Sequence, residues 1–239
     1  MMDWNHPVLR WVRKRGLSLG GVNSGDWNQE AFIRSTIKDA KNRIDLATPL
    51  RETLFVVVDL ETTGFDPAGG DEIIAIGAVK VKNGSMQDAN RFHTLVHPGC
   101  EIPSRITRLT GISDVDVQDA PSIRTALESW LRFVGNGTLV AYGAHHDQAF
   151  IQSAMMRCWG TRLNHRMIDA WRVAQCLHPE WQEHTLDYAL AMYDIPIQGR
   201  HTADGDAWMT ARLWEGFIQR CSELNLKMLE DLYARIAAI

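Results

Sequence analysis

The sequence predicts an α/β fold, a mixed β-sheet flanked by helices with an N-terminal helical extension. Three observations carry this. The run 54-LFVVVDL-60 is continuously apolar and β-branched, as in a strand buried on both faces. The runs 72-EIIAIGAVKVKNG-84 and 91-RFHTLVHP-98 flank the turn signal 83-NGS-85, which makes a meander with the first strand. Beyond residue 121, short strand-like runs alternate with segments of helical periodicity, the pattern of a layered α/β sandwich.

Residues 1–50 stand apart. They carry Trp4, Trp11, Trp27 and the basic run 13-RKR-15, broken by the Gly/Ser/Asn-rich stretch 16-GLSLGGVNSGD-26. Asp26 is placed to cap a helix over residues 27–44, with Phe32, Ile33, Thr36, Ile37 and Ala40 at helical spacing. This extension docks its aromatics on the main domain or binds a partner. Residues 51–225 form the main domain. After the meander, residues 103–113 read as a short helix and loop. Residues 121–135 are a helix with Ile123, Leu127, Trp130, Leu131 and Val134 on one face and Gly135 as its cap. The run 138-TLVAYG-143 is a short strand, and residues 147–160 are a helix stopped near Gly160. Residues 167–179 begin as strand or turn and continue helical to Pro179. Residues 184–196 are a helix, and residues 202–225 a long amphipathic one. Residues 226–239 are a helical tail. Trp130, Trp171, Trp208 and Trp214 fall on helix faces and read as core.

The bulk numbers bound the function. A chain of 239 residues, 45% hydrophobic and 23% charged, can bury a sizeable core. A net charge of -4 gives no broad basic surface for coating nucleic acid, and it fits short substrate ends better than tracking along a duplex. Cys100, Cys158, Cys176 and Cys221 are scattered, without a CxxC pair, which fits a reducing compartment. The longest apolar run is too short to cross a bilayer, and no apolar stretch follows the basic residues 10–15. The expectation is a cytoplasmic protein with no membrane partner.

The chemistry sits in acids. Side chains alternate along a strand, so Asp59 and Glu61 share one face at the end of the valine run. Two like charges there need neutralising. A hard divalent cation with oxygen ligands does this. The alternative is that one acid caps a helix and the other pairs with an arginine. Asp147 opens a helix after the 138–143 strand, and Asp206 lies five residues after His201. Four carboxylates converging at one end of the sheet suffice for two metal ions about 3.5–4 Å apart, the arrangement used in phosphoryl transfer. His201 is then placed as a mobile general base, since imidazole changes charge near neutral pH.

These residues match a family. The sequence resembles the DEDD superfamily of 3′–5′ exonucleases, which have a ribonuclease H-like fold. The first motif stands as 59-DLETTG-64, the second around 139-LVAYGAHHDQAFI-151, and the third as 201-HTADGDA-207. His201, five residues before Asp206, with Thr202 where the other branch has tyrosine, marks the histidine branch. That branch includes the proofreading epsilon subunits of bacterial DNA polymerase III. The run 106-ITRLTGI-112 is a further epsilon-like match, and the resemblance covers residues 54–221.

The resemblance implies Asp59, Glu61, Asp147 and Asp206 as ligands of two Mg²⁺ or Mn²⁺ ions and His201 as the base, with Asp204 a solvated helix-start acid. It implies single-stranded 3′ ends of DNA or RNA as substrate, met by Thr62, Thr63, Gly64 and Phe65. Two departures stand out. Tyr142-Gly143 replaces His-Asn after the strand, and His146 replaces the usual Phe before the motif Asp. Both alter the wall of the nucleotide pocket and leave DNA against RNA open. His145 and His146 either touch phosphate or face solvent. Arg105 and Arg108, beside 109-LTG-111, and Arg162 and Arg166 are candidates for a basic groove or are solubilising charges. The other histidines (His93, His97, His165, His178, His184) read as structural or surface residues. A polymerase or regulatory protein docking through residues 1–50 is the reading of another class.

Overall fold

The computed structural model describes residues 31–36 and 45–239. Residues 31–36 are helical, within the helix expected over residues 27–44. The remainder of that helix and residues 1–30 lie outside the described residues. Residues 45–239 fall within one compact unit. Among the described residues, no helix is long and apolar enough to cross a membrane.

A five-stranded mixed sheet organises the unit. Its strands are β1 (Phe55–Thr62), β2 (Ile73–Lys82), β3 (Ser85–Leu95), β4 (Thr138–Ala141) and β5 (Met167–Asp169), in the order β3-β2-β1-β4-β5. The first three strands are antiparallel, while β4 and β5 run parallel to β1. β1 is therefore central, which is why 55-FVVV-58 is wholly buried. β3 begins at Ser85, six residues before the sequence predicts. Asn83 and Gly84 both take positive φ, 57° and 70°, as a two-residue hairpin turn requires, so pairing starts at once. The polar run 85-SMQDAN-90 hid this, and it is polar because β3 is an edge strand whose residues are mostly exposed.

Eight helices accompany the sheet between residues 104 and 237. α1 (Ser104–Thr110) and α2 (Asp114–Val117) follow the meander. α3 (Ile123–Val134) buries Leu127, Trp130, Leu131 and Val134 and is closed by Gly135, as its periodicity predicts. α4 (His145–Trp159) starts two residues before Asp147 and ends at Gly160 in the left-handed conformation. α5 (Ala170–Leu177) and α6 (Leu186–Met192) precede the long α7 (Ala203–Glu223), and α8 (Leu229–Ala237) ends the chain. α7 packs along β1 and β2, with Trp214 edge-on to Phe55 at 5.1 Å. Gly77 permits this, because a methyl group there would collide with the Ala203 carbonyl at the start of α7. Asp59 is the register partner of Gly77, so this close approach brings the start of α7 to the acid-bearing end of β1.

Two local expectations change. Trp130 and Trp214 are core residues, but Trp171 is 41% exposed and Trp208 only half-buried. α5 buries Val173, Ala174 and Leu177, and Trp171 falls outside that stripe. The Trp208 indole instead donates to Asp88 on β3 at 3.3 Å. Residues 46–50, placed with the N-terminal extension by sequence, bond to residues 227–230: Leu50 N–H donates to the Lys227 carbonyl at 2.8 Å and Leu229 N–H to that of Thr48 at 3.0 Å.

Candidate active site

Three carboxylates meet at the end of β1. Asp59, Glu61 and Asp206 each offer an oxygen within 4.8 Å of the others. The pleat of β1 puts the first two on one face, and the first turns of α7 bring the third. Asp206 is only 5% exposed, and its Oδ1 is buried without a hydrogen-bond partner among the described residues. Oδ2 accepts from Arg200 Nη1 at 2.7 Å and from the His201 N–H at 3.2 Å.

Asp147 lies beside the trio rather than within it. The β1–β4 pairing ends at Val57 and Val140. Further along β1, the Leu60 N–H donates to Asp147 Oδ1 at 3.1 Å. This bond ties α4 to the strand between the two motif acids, with Asp147 4% exposed.

The site is electrostatically loaded. Burial, then the charge of Asp206, pushes the Glu61 carboxyl up to about 7, against the pull of Arg200. Burial pushes Asp147 up to about 8, although its hydrogen bonds favour the ionised form. Asp59 is raised well above the ordinary range, by burial first and then by Asp147, Asp206 and Glu61. Burial also raises Asp206, opposed chiefly by Arg200. A cluster that resists ionisation, made of oxygen donors with one buried oxygen unpartnered, fits a hard divalent cation.

The remaining expected residues fall around this cluster. His201 is exposed, with φ 60° in the left-handed region, and its ring makes no hydrogen bond among the described residues. Thr62 Oγ1 donates to the Gly64 carbonyl at 2.6 Å, so its contact with His146 Nε2 at 3.3 Å has the imidazole as donor. Thr63 is committed inside the turn. Its hydroxyl donates to Asp71 Oδ1 and accepts from the Glu72 N–H, and its N–H donates to the Glu72 carbonyl. Gly64 is needed there because a methyl group would collide with the Asp71 carboxylate. Phe65 is 78% exposed and lies edge-on to His146 at 5.7 Å, while His146 leans on Phe150 at 4.7 Å. Arg105 and Arg108 are exposed on α1, which packs through Ile106 on Ile74, next to the register partner of Thr62. Arg166 instead precedes β5, at the end of that strand remote from Asp169, and lies over the Tyr233 ring. Tyr142 turns away to donate to the His184 carbonyl at 2.5 Å.

Sequence reasoning missed three residues. Arg200 bridges Asp206 and Asp187, its Nε reaching Asp187 Oδ1 at 2.6 Å. Its only sequence signal was standing next to His201. Asp187, on α6, had none. Asp169 Oδ1 accepts from the Gly143 N–H at 2.9 Å and from the Trp171 N–H at 3.0 Å, fastening the loop after β4 to the cap of α5. Its signal was the cap position at a strand-to-helix junction.

The sheet order, the carboxylates at the end of its central strand and the acid-bearing first turn of α7 define a ribonuclease H-like nuclease domain. Residues 56–214 match the Exonuclease family (RNase_T), and the chain belongs to that family. It carries an exonuclease-family domain similar to epsilon subunits of DNA polymerase III. The DNA polymerase III subunit epsilon of Aquifex aeolicus is 30% identical over 197 residues, covering 82% of this chain and 91% of that one. The PolC-type DNA polymerase III of Caldanaerobacter subterraneus is 34% identical over 178 residues, 74% of this chain but 12% of that protein. The chain thus spans a small part of the PolC-type relatives it matches. In fold it is similar to the nuclease domain of 3′hExo, a DEDDh family member solved with rAMP. The TM-score is 0.64 at 17% identity, over 72% of this chain and 94% of that one.

Proposed function

We propose that the chain trims DNA from its 3′ end, in the manner of a proofreading or repair exonuclease, releasing nucleoside 5′-monophosphates. The observation that carries this is the convergence of Asp59, Glu61 and Asp206 within 4.8 Å, with Asp147 anchored on the same strand. Asp59, Glu61, Asp147 and Asp206 are the residues that would hold two divalent cations, Mg²⁺ or Mn²⁺. When bound, these supply Lewis-acid charge at the scissile phosphate.

The chain's own residues do the rest. His201, exposed and with a ring free of hydrogen bonds among the described residues, takes a proton from the attacking water. The water oxygen bonds to phosphorus, and the bond from phosphorus to the penultimate 3′ oxygen breaks, that oxygen taking a proton from solvent to become the new 3′-hydroxyl. Gly64 and Phe65 receive the terminal nucleotide, with Phe65 as a face for its base and His146 behind it. Thr62 and Thr63 shape the turn that presents them, and Arg108 on α1 meets the incoming strand. The epsilon and PolC-type relatives support DNA as substrate and a polymerase as partner, for which residues 1–50 are the docking segment.

The test is nucleotide release from matched 3′-labelled single-stranded DNA, duplex DNA and RNA, with Mg²⁺ and with Mn²⁺. DNA should be digested in preference to RNA, and Asp206→Ala should abolish release while the melting temperature is kept. Full activity in Asp206→Ala, or RNA as the better substrate, overturns the reading.

A further inference from the structure

His201 is the one residue assigned to proton transfer, yet nothing holds its ring. Its side chain is exposed and makes no hydrogen bond among the described residues. Its place is therefore set by its backbone, and that backbone is unusual. A non-glycine residue at φ 60° is strained and persists only where its surroundings fix it.

What fixes it is visible. The turn begins at Gly199, φ 66°, whose carbonyl accepts from the Thr202 N–H at 3.2 Å and the Thr202 hydroxyl at 2.7 Å. Thr202 Oγ1 in turn caps α7 by accepting from the Gly205 N–H at 3.3 Å. On the site side, the turn is fastened twice to a single oxygen. Asp206 Oδ2 accepts both the His201 N–H and Arg200 Nη1. Arg200 Nε reaches back to Asp187 on α6, so the guanidinium joins α6, the turn and α7. A planar fork with fixed donor directions suits this bridge, and a lysine cannot reproduce it.

We propose that Arg200 is a positioning residue that acts through His201: it locks the turn against Asp206 and Asp187 and so sets where the imidazole stands relative to the carboxylate cluster. This rests on the reading of His201 as the proton acceptor. Arg200 bonds only Oδ2 of Asp206, so Oδ1, without a partner among the described residues, would remain available to a cation.

The test is a double-mutant cycle in the full chain, reading steady-state release from 3′-labelled single-stranded DNA with Mn²⁺. Arg200→Gln should lower kcat by roughly ten- to a hundredfold with KM changed less than about twofold. In a His201→Asn background the same substitution should change kcat by less than about twofold, because the group it positions is gone. Asp187→Asn should cost less than Arg200→Gln, since the bond to Asp206 survives. Arg200→Lys should recover only part of the loss, and if Arg200→Gln does not fold, Arg200→Lys and Asp187→Asn run through the same cycle. Equal losses in both backgrounds overturn the proposal, as does a raised KM at unchanged kcat, which would put Arg200 on the substrate. Full kcat in His201→Asn alone defeats the reading of His201 instead, a separate outcome.

Discussion

Two polar clusters in this chain are built on opposite terms. One is the carboxylate end of β1. The other surrounds His178, at the end of α5. There both ring nitrogens of the buried histidine have partners. His178 is buried and lies flat on Trp181, ring centres 4.1 Å apart, and edge-on to Tyr193 at 5.6 Å. Its Nδ1 is 3.2 Å from Glu180 Oε1 and its Nε2 2.7 Å from the Tyr193 hydroxyl. Burial pushes its charged form down, so the neutral ring donates from Nδ1 and accepts at Nε2. At the end of β1, like charges are gathered, one buried oxygen is unpartnered among the described residues and a histidine stands in strained backbone. Burial is shared and satisfaction is not. Unmet polar demand at a fixed position is what a ligand can relieve, so the two regions should respond to mutation with opposite signs.

The largest break in that comparison comes from Asp59→Asn. The substitution keeps volume and removes one of the crowded charges. Activity should fall roughly a thousandfold or more, about 4 kcal/mol of transition-state stabilisation. Without divalent cation, thermal stability at pH 8 should instead rise, because the remaining acids lose a repelling neighbour. Measuring release and melting temperature on the same preparation checks both. A variant that loses activity and stability together would place Asp59 with the satisfied cluster.

Much of this contrast was legible in the sequence, and what was not follows a pattern. The valine run predicts a central strand, and alternation alone puts Asp59 and Glu61 on one face. The periodicity of α3 and the glycines closing α3 and α4 also stand as read. These are local properties. The bridge from Arg200 to Asp187 joins residues whose chain separation carries no period. The fit of Gly77 against Ala203 depends on two elements meeting across the sheet. The edge position of β3 turns a polar run into a strand, and pairing with residues 46–50 draws in the final segment. Each depends on tertiary contact, which the local pattern does not encode.

A smaller effect sharpens the comparison through pH. Glu61, at about 7, and Asp147, at about 8, are raised above their unfolded values. In the pH range between those values and ordinary carboxylate pKa values, the folded state holds protons that the unfolded state has released. By linkage, their stabilising contribution is complete below about pH 4 and is lost as pH rises through about 7 to 8. In chelator, the melting temperature should fall by roughly 10 °C between pH 5.5 and 8.5 from this source. Asp147→Asn should flatten the fall. Added Mg²⁺ should raise the melting temperature more at pH 8 than at pH 6, because the cation replaces those protons. A chelated protein whose stability rises over that window would show that these acids ionise freely.

The smallest effect belongs to the satisfied region. Tyr193→Phe removes a hydroxyl whose partner is His178 Nε2 and leaves that nitrogen buried as an unmatched acceptor. The ring itself stays, edge-on to Phe217 at 5.5 Å, so little packing is lost. The cost should be about 1–2 kcal/mol of stability, between a net hydrogen bond and a full desolvation penalty. kcat should not change, because His178 meets Tyr193, Glu180 and Trp181 and none of the carboxylates at the end of β1. Denaturant unfolding beside steady-state release reads both quantities. A drop in kcat without loss of stability would mean that the two clusters are coupled through α7, where Phe217 and Asp206 share a helix, and that the satisfied region is part of the site.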